Sequence, residues 1–318
     1  IGVVDIVPED VESHGRLEPG KMFLVDMNQG RIINDEEIKS KIVRERPYQE
    51  WLDKTRLHLK DIPYTGETCP RELLDIKTRQ RLFNYTFEDI QEVITPMAQK
   101  AKEALGSMGI DTPLAVLSNK PQLISNYFKQ LFAQVTNPPL DGIREEIVTD
   151  ISLSLGKDRN IFSITERQCR KLKIQNPVIS NDDLEKIRNI TVEGFKTETV
   201  ELLYQKDKGL NGLEDALDEI IVQIEKALER KTNIIILSDR GVSKEFAPIP
   251  ALLACSYVSH QMNRLRKRSY FDIIIESAEP REPHHFATLF GYGASAVNPY
   301  MVNEIIRAQV KEGFITDM

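Results

Sequence analysis

The final third of the chain alternates between apolar residues at helical spacing and short apolar runs. A helical stripe is formed by Leu213, Leu217, Ile220, Ile224 and Leu228. Asn211 and Glu214 stand three residues apart and predict a capped start for this helix. Apolar runs of strand length lie around it, at 197–204, 234–237, 271–275 and 295–297. Further helical patterns separate these runs, at 249–265, 284–290 and 300–310.

Strands that alternate with helices in this way predict parallel βαβ units and therefore an α/β fold. The pattern fits at least half of a β/α barrel or an open, doubly wound sheet. The chain has no glycine-rich nucleotide fingerprint between a strand and the helix that follows. We therefore favour a barrel-like β/α domain, a class that includes an incomplete or irregular TIM-type barrel.

The start of the chain has a different pattern. Two short apolar strands, Lys21–Asp26 and Gly30–Ile33, predict a β-hairpin. Asn34 and Glu37 then form a capping signal that opens a helix. Because the chain begins with Ile1 rather than methionine, we interpret it as a piece of a longer polypeptide.

The middle of the chain is less regular. A helical pattern over 86–105 is interrupted by Pro96, and a strand over 112–117 and a helix over 121–135 follow. Another helix is expected to open near Ser180. These patterns predict three parts: a hairpin segment (1–46), a helical linker (47–110) and a β/α domain (111–318).

Composition narrows the class of protein. The 318 residues include 41% hydrophobic and 29% charged side chains, which is typical of a globular protein rather than a disordered one. The longest apolar run, 251–255, is too short for a membrane helix, and a net charge of −7 argues against a nucleic-acid partner. Cys69, Cys169 and Cys255 lie far apart, which predicts neither a disulfide framework nor a zinc site and fits a reducing cytoplasm.

Candidate chemistry lies where the predicted strands end, because substrates of β/α enzymes bind at the carboxyl ends of parallel strands. The polar residues at these positions are Ser118, Asn119, Asp239, Arg240, Glu276, Arg281 and Asn298. Asp239 and Glu276 are candidates for a carboxylate pair, with Arg240 and Arg281 as anion binders. In the alternative that we favour, these charges form a rigid structural network.

Two further motifs have ordinary structural explanations. His284 and His285 are adjacent on a predicted helix and point about 100° apart, so they do not ligate one metal ion from one face. The turn from Gly291 to Ala294 follows a helix, which predicts a C-terminal cap rather than a phosphate-binding loop. We therefore predict no metal site and no cofactor site in this chain.

Long strings of the sequence resemble the central domain of the large chain of glutamate synthase. They are found at 106–118, 127–139, 143–146, 236–242, 249–254, 276, 281–282, 284–287, 289–294 and 296–300. Residues 16–26, which read RLEPGKMFLVD, resemble the closing hairpin of that enzyme's glutamine amidotransferase domain. One departure is Ser277-Ala278-Glu279, where the family usually has glycine at the middle position.

The resemblance implies a parent enzyme that makes two glutamates from glutamine, 2-oxoglutarate and two electrons, in a bacterial cytoplasm or a plastid. It implies that residues 1–46 end the amidotransferase domain and that 111–318 form a cofactor-free central domain. FMN and an iron–sulfur cluster belong to other parts of the parent, so the expected partners are its amidotransferase and FMN-binding domains. The family's nucleophilic cysteine has no counterpart here, so no catalytic residue is carried over.

Three hypotheses about function remain open at this point. The first is a connecting domain that positions the two catalytic domains and lines part of the ammonia path, with the strand-end residues and His284 and His285 at the rim or at domain contacts. The second is a stand-alone β/α enzyme that uses Asp239, Arg240, Glu276 and Arg281. The third is a regulatory module that binds a small ligand.

Overall fold

A computed structural model describes residues 3–64, 73–102, 114–129, 135 and 139–315 of the chain. They belong to two compact units, Ile1–Lys54 and Thr55–Met318. The strands of the described residues are, in chain order, β1 (Leu24–Asp26), β2 (Arg31–Ile33), β3 (Leu57–His58), β4 (Leu153–Leu155), β5 (Leu172–Ile174), β6 (Thr197–Glu201), β7 (Leu203–Gln205), β8 (Ile234–Ser238), β9 (Phe246–Pro248), β10 (Asp272–Glu276) and β11 (Ala296–Asn298). The α-helices are α1 (Asp35–Val43), α2 (Tyr48–Thr55), α3 (Ile76–Leu82), α4 (Thr95–Lys100), α5 (Glu145–Val148), α6 (Asn181–Arg188), α7 (Gly209–Glu229), α8 (Ala251–Arg264), α9 (Pro283–Gly291) and α10 (Tyr300–Lys311).

The first unit contains the predicted hairpin. Strands β1 and β2 pair antiparallel, with Leu24 opposite Ile33. Asn34 caps α1, since its side chain accepts a hydrogen bond of 2.8 Å from the backbone N–H of Glu37. The capping signal in the sequence is therefore confirmed.

A parallel sheet in the order β11-β10-β8-β6 forms the centre of the second unit. The register places Glu276 beside Ser238 and Asn298, so the last residues of these strands lie along one edge. Antiparallel β7–β9 and a mixed sheet in the order β3-β5-β4 accompany it. The α/β class and the parallel strands are confirmed, and the described strands form open sheets rather than a closed ring.

Alternate residues of the central strands are buried in two separate apolar cores. Ile235 and Leu237 of β8 pack with α7 and α8, whereas Ile234 and Ile236 pack with α6 and the β3-β5-β4 sheet. A strand covered on both faces is apolar throughout, which explains why β8 reads Ile-Ile-Ile-Leu. The sheet is therefore the middle of three layers.

A third apolar cluster covers the carboxyl edge of the parallel sheet. Its buried members are Phe83, Tyr85, Ile94, Val242, Ala278, Tyr300, Met301 and Ile305. Val242, Ala278 and Tyr300 follow β8, β10 and β11, and the others come from the segment 83–94 and from α10. The edge at which β/α enzymes admit substrate is thus packed against apolar side chains.

Several predicted elements differ from the structure. Ala115–Leu117 is a 3₁₀ turn rather than the end of a strand, and Ile124–Phe128 is a 3₁₀ turn within the predicted helix 121–135. Helix α7 begins at Gly209, ahead of the predicted cap at Asn211. The pattern over 86–105 contains a π-helical segment, Asp89–Ile94, directly before α4. Residues 103–113 and 130–134 and Cys69 lie outside the described residues.

Other predictions are confirmed. Ser180 caps α6, accepting a hydrogen bond of 3.1 Å from the backbone N–H of Asp183. Gly293 follows α9 with φ of +110°, and its N–H donates to the carbonyl of Phe290, as expected for a helix C-terminal turn. Among the described residues, no helix is long and apolar enough to cross a membrane.

Candidate functional site

Glu276 lies at the centre of a buried set of charges at the carboxyl edge. It ends β10 with no exposed surface, and its two carboxylate oxygens bind different arginines. Arg188 Nη2 donates to Oε2 over 2.7 Å, and Arg240 Nε donates to Oε1 over 2.6 Å. Burial alone would raise the pKa of this carboxyl, but the two guanidinium groups outweigh burial and hold the pKa below its usual range.

The network of ion pairs extends from the end of the sheet to helix α10. Arg240 Nη1 donates to Glu304 Oε1 over 3.3 Å, and Arg79 Nη2 donates to Glu304 Oε2 over 2.6 Å. The Arg240 guanidinium also lies over the ring of Tyr300, 3.8 Å from its centroid. We call Arg79, Arg188, Arg240, Glu276 and Glu304 the carboxyl-edge ion cluster.

Asp239 also lies at this edge, but its contacts differ from those of Glu276. Its carboxylate accepts hydrogen bonds from Ser277 Oγ over 2.5 Å and from the backbone N–H of Ala278 over 3.1 Å. Burial raises the pKa of Asp239 to about 7, despite these donors. Glu279, two residues after Ser277, accepts a hydrogen bond from Ala251 N at the start of α8, and burial raises its pKa to about 7.

Arg281 binds a different part of the structure. Its guanidinium lies 4.2 Å from the ring centroid of Tyr85, 3.6 Å from Asp89 Oδ2, and donates to the carbonyl of Phe83 over 3.4 Å. Tyr85 in turn donates from its hydroxyl to the carbonyl of Ala278 over 2.7 Å. These contacts fasten the segment 83–89 to the chain that follows β10.

The adjacent histidines each have separate partners. His284 Nε2 donates to the carbonyl of Ser125 over 2.8 Å. His285 Nδ1 accepts from the backbone N–H of Arg281, and its Nε2 lies 3.1 Å from Glu282 Oε1. Burial lowers the pKa of His285 below its usual range, although Glu282 acts in the opposite direction. Within the described part of the chain, no group of three His, Cys, Asp or Glu side chains is arranged to hold a metal ion.

Within the described part of the chain, no hydrogen bond or ion pair links Ser118 or Asn119 to the carboxyl edge. They follow a 3₁₀ turn instead of a strand, and Ser118 Oγ accepts from the backbone N–H of Lys120. The expectation that they end a strand is therefore wrong. Asn298 does end β11, and it donates from Nδ2 to the carbonyl of Ile179 and to Asn181 Oδ1, each over 2.9 Å.

Sequence reasoning missed Arg79, Arg188 and Glu304. All three come from helices, so they are absent from a list of strand-end residues. Arg79 and Glu304 are separated by 225 positions, and no local pattern links them.

Chemically, the carboxyl edge is occupied by groups that satisfy one another. The oxygens of Glu276 and Glu304 each accept from an arginine, and Glu276 is completely buried. Such an arrangement holds elements in register, because removing one charge leaves its partners buried and unpaired.

Comparison with known proteins identifies the family. A model of the glutamate synthase central domain matches residues 78–318. The chain belongs to the glutamate synthase central domain family. A model of class-II glutamine amidotransferases matches residues 1–51, ahead of the central domain. The resemblance seen in the sequence is confirmed by both matches.

Named relatives of this central domain are glutamate synthases. The large chain of a glutamate synthase [NADPH] from Bacillus subtilis is 42% identical over 98% of this chain, which covers 20% of that relative. A glutamate synthase [NADH] from Schizosaccharomyces pombe is 36% identical over 98% of this chain and 15% of the relative. A ferredoxin-dependent glutamate synthase 2 from Synechocystis is 36% identical over 96% of this chain and 20% of the relative. The chain thus spans a fifth or less of these relatives.

Proposed function

We propose that this chain is the connecting part of a glutamate synthase, which converts glutamine, 2-oxoglutarate and two electrons into two glutamates. Its role is to fix a glutaminase domain relative to an FMN- and 2-oxoglutarate-binding domain and to line part of the ammonia path. The adjacent matches to an amidotransferase model and a central-domain model support this assignment. The names of the relatives support the reaction.

The positioning role is supported mainly by the buried, paired charges at the carboxyl edge. A β/α enzyme needs reactive groups that a substrate can reach at this edge. Here Glu276 has no exposed surface and pairs with Arg188 and Arg240, and helix α10 packs over it. The same groups suit a scaffold, because Arg79, Arg188 and Glu304 tie three helices to the end of one strand.

The same proposal covers the domain organisation of this chain, the cofactors of the parent protein and the cellular compartment of the parent protein. Residues 1–46 would end the amidotransferase domain, 47–110 would link, and 111–318 would form the central domain. The parallel strands and their helices support an incomplete or irregular barrel. FMN and an iron–sulfur cluster would bind to other parts of the parent protein, which would act in a bacterial cytoplasm or a plastid. In this proposal, the residues that stabilise the rim of the domain or its contacts with neighbouring domains are Asp239, Arg281, His284 and His285.

The test is the coupling of the two half-reactions in the full-length protein that carries this sequence. Glutamine hydrolysis and glutamate formation from added ammonia are measured separately. The coupling is then measured as the fraction of glutamine-derived ammonia that is incorporated into glutamate. We expect Glu276→Gln to retain both half-reactions and to release more free ammonia. Lys208→Gln, an exposed change outside the cluster, is the control and should stay coupled. Loss of one half-reaction by Glu276→Gln in a folded protein would contradict the proposal.

A second candidate is a stand-alone β/α enzyme, and one observation favours it. The pKa of Asp239 lies near 7, which suits a general base at neutral pH. In that case Asp239→Asn would abolish turnover by the 318-residue chain and leave its urea midpoint unchanged. A shifted midpoint, with no turnover by the unaltered chain, would count against this candidate.

A further inference from the structure

A small cavity with polar walls lies between the loop that follows β10, helices α8 and α9, and the 3₁₀ turn Ile124–Phe128. Its volume is about 10 Å³, close to the size that admits a single water molecule. Ser125, Glu279 and His285 supply the polar part of its lining, and the other lining residues are three leucines and a proline. We propose that this cavity binds one internal water molecule that bridges Glu279 and His285, independently of the connecting role proposed above.

His285 provides a hydrogen-bond donor in a fixed position. Its Nδ1 accepts from the backbone N–H of Arg281 over 3.3 Å, so the neutral ring carries its proton on Nε2. Glu282 Oε1 lies 3.1 Å from Nε2 but accepts from Lys129 Nζ over 2.6 Å, and the buried Nε2 has no hydrogen bond with a described residue. A buried ring N–H of this kind requires an acceptor.

Glu279 provides a matching acceptor. Its Oε2 accepts from the backbone N–H of Ala251 over 2.9 Å, and no described residue donates to its Oε1. Burial raises the pKa of Glu279 to about 7, because neither this donor nor the nearby charge of Arg281 offsets the loss of solvent. A molecule in the cavity that donates to Oε1 would supply the missing hydrogen bond.

Ser125 adds a third polar partner from a different element. Its hydroxyl lies 3.2 Å from Thr288 Oγ1 and keeps a second hydrogen-bonding position, because a hydroxyl both donates and accepts. Internal waters typically make about three hydrogen bonds. Ser125, Glu279 and His285 match that number, and a water bound to all three would join the 3₁₀ turn, the loop after β10 and helix α9.

The combination of donor and acceptor selects a neutral molecule. A cation has no lone pair with which to accept from His285 Nε2, and an anion would be repelled by Glu279 once that carboxyl ionises. Cavities that remain dry are lined by apolar side chains, unlike this one. Water accepts from one partner, donates to two others and fits the volume.

The proposal is tested by a high-resolution structure of the full-length protein that carries this sequence, determined in a buffer free of ammonium salts. We expect a density peak in the cavity within about 3.2 Å of both a Glu279 carboxylate oxygen and His285 Nε2. The absence of a peak, at a resolution at which other internal waters are seen, would overturn the proposal. A peak with contacts of about 2.0–2.2 Å would indicate a metal ion and would also overturn it.

Substitutions test whether these side chains hold the water. Glu279→Met keeps an unbranched side chain but removes the acceptor, so the peak should be lost. Ser125→Ala, a milder change, removes one of three partners and should lower the occupancy of the peak, even if Glu279→Met fails to fold. Thr288→Val is the matched control, because Thr288 lies on the same helix as His285 but does not line the cavity, and its peak should remain. A peak of unchanged height in Ser125→Ala and in folded Glu279→Met would overturn the proposal.

Discussion

The two edges of the parallel sheet carry similar side chains in opposite surroundings. At the carboxyl edge, Glu276 and Arg240 are almost completely buried and each has a charged partner. At the amino edge, Lys231 is exposed and Lys157 is only partly covered. Arginine, lysine and glutamate thus form a closed structural cluster at one edge and an open, charged groove at the other.

The difference follows from what lies over each edge. Helix α10 and the segment 83–94 supply the apolar side chains that remove water from the carboxyl edge. Once water is removed, a charge is tolerated only when it is paired, so each arginine there needs its carboxylate. The amino edge keeps its solvent, and water stabilises charges that have no partner. Burial, rather than residue type, therefore decides which edge is rigid.

The largest expected effect comes from breaking the carboxyl-edge ion cluster. Glu276→Ala leaves Arg188 and Arg240 buried without their shared carboxylate. Breaking a buried pair in this way costs about 3–5 kcal/mol. The free energy of unfolding, measured by urea titration, should fall by that amount. A loss below about 1 kcal/mol, which is the value for an exposed pair, would show that the cluster is solvated and would remove the contrast between the edges.

The effect of pH on stability should differ between carboxyl groups whose pKa is raised on folding and those whose pKa is lowered. Unfolded Asp239 titrates near 3.9, whereas burial raises its folded pKa to about 7. Between these values the folded state holds a proton that the unfolded state has lost. Stability from this group is therefore complete below about pH 4 and declines as pH rises to about 7, by up to ~1.4 kcal/mol per unit.

For Glu198 and for Glu276, whose pKa values are both lowered, the sign is opposite. The Arg230 hydrogen bond holds the pKa of Glu198 at about 2, so its contribution is present above the unfolded pKa and is lost as pH falls. Urea midpoints measured from pH 3 to pH 8 check both signs. Asp239→Asn should reduce the decline toward neutral pH, to which Glu279 also contributes, and Glu198→Gln should reduce the loss in acid. An unchanged profile for Asp239→Asn would mean that Asp239 stays ionised in the folded protein.

These contrasts were only partly predictable from the sequence. The strands β8 and β10 were found because both faces of each are buried, which makes them continuous apolar runs. The run Ala115–Leu117 is equally apolar but forms a 3₁₀ turn with Val116 and Leu117 exposed. Local composition does not reveal whether a neighbour will cover an apolar run, so the strand prediction was wrong there.

The candidate site shows the same limit. Asp239, Arg240 and Glu276 were found because the ends of parallel strands lie along one edge. Their partners Arg188 and Glu304 come from helices that reach this edge only after folding. The exposed cations at the amino edge were not predicted at all, since they lie in separate parts of the chain that no motif connects. Sequence reasoning found the strand ends but not the helices and loops that meet them.

A smaller effect on stability is expected from substitution of Gly194, which lines an open groove at the amino edge of the sheet. Gly194 has φ of +91°, and a Cβ atom built there would lie 2.5 Å from the Arg170 Cδ atom. Left-handed backbone costs a residue with a side chain about 1–2 kcal/mol, and Arg170 would have to move. Gly194→Ala should lower the urea midpoint accordingly, whereas Gly15→Ala, with open space and no positive φ, should not. Equal midpoints for the two variants would show that the loop at the groove adjusts freely.

The smallest effect is expected where the amino edge has an ion pair of its own. Lys267 and Glu225 are 2.5 Å apart, yet their side chains are 39% and 34% exposed. Solvent screens such a pair, so Glu225→Gln should change the free energy of unfolding by about 1 kcal/mol or less. That change should be smaller still at 0.5 M salt, because salt at roughly this concentration screens exposed charges that are only a few ångströms apart. The loss caused by Glu276→Ala should persist at the same salt concentration, because ions do not enter the covered edge. If salt reduced both losses equally, the two edges would share one electrostatic environment, and burial could not be the reason that one is a rigid cluster and the other an open groove.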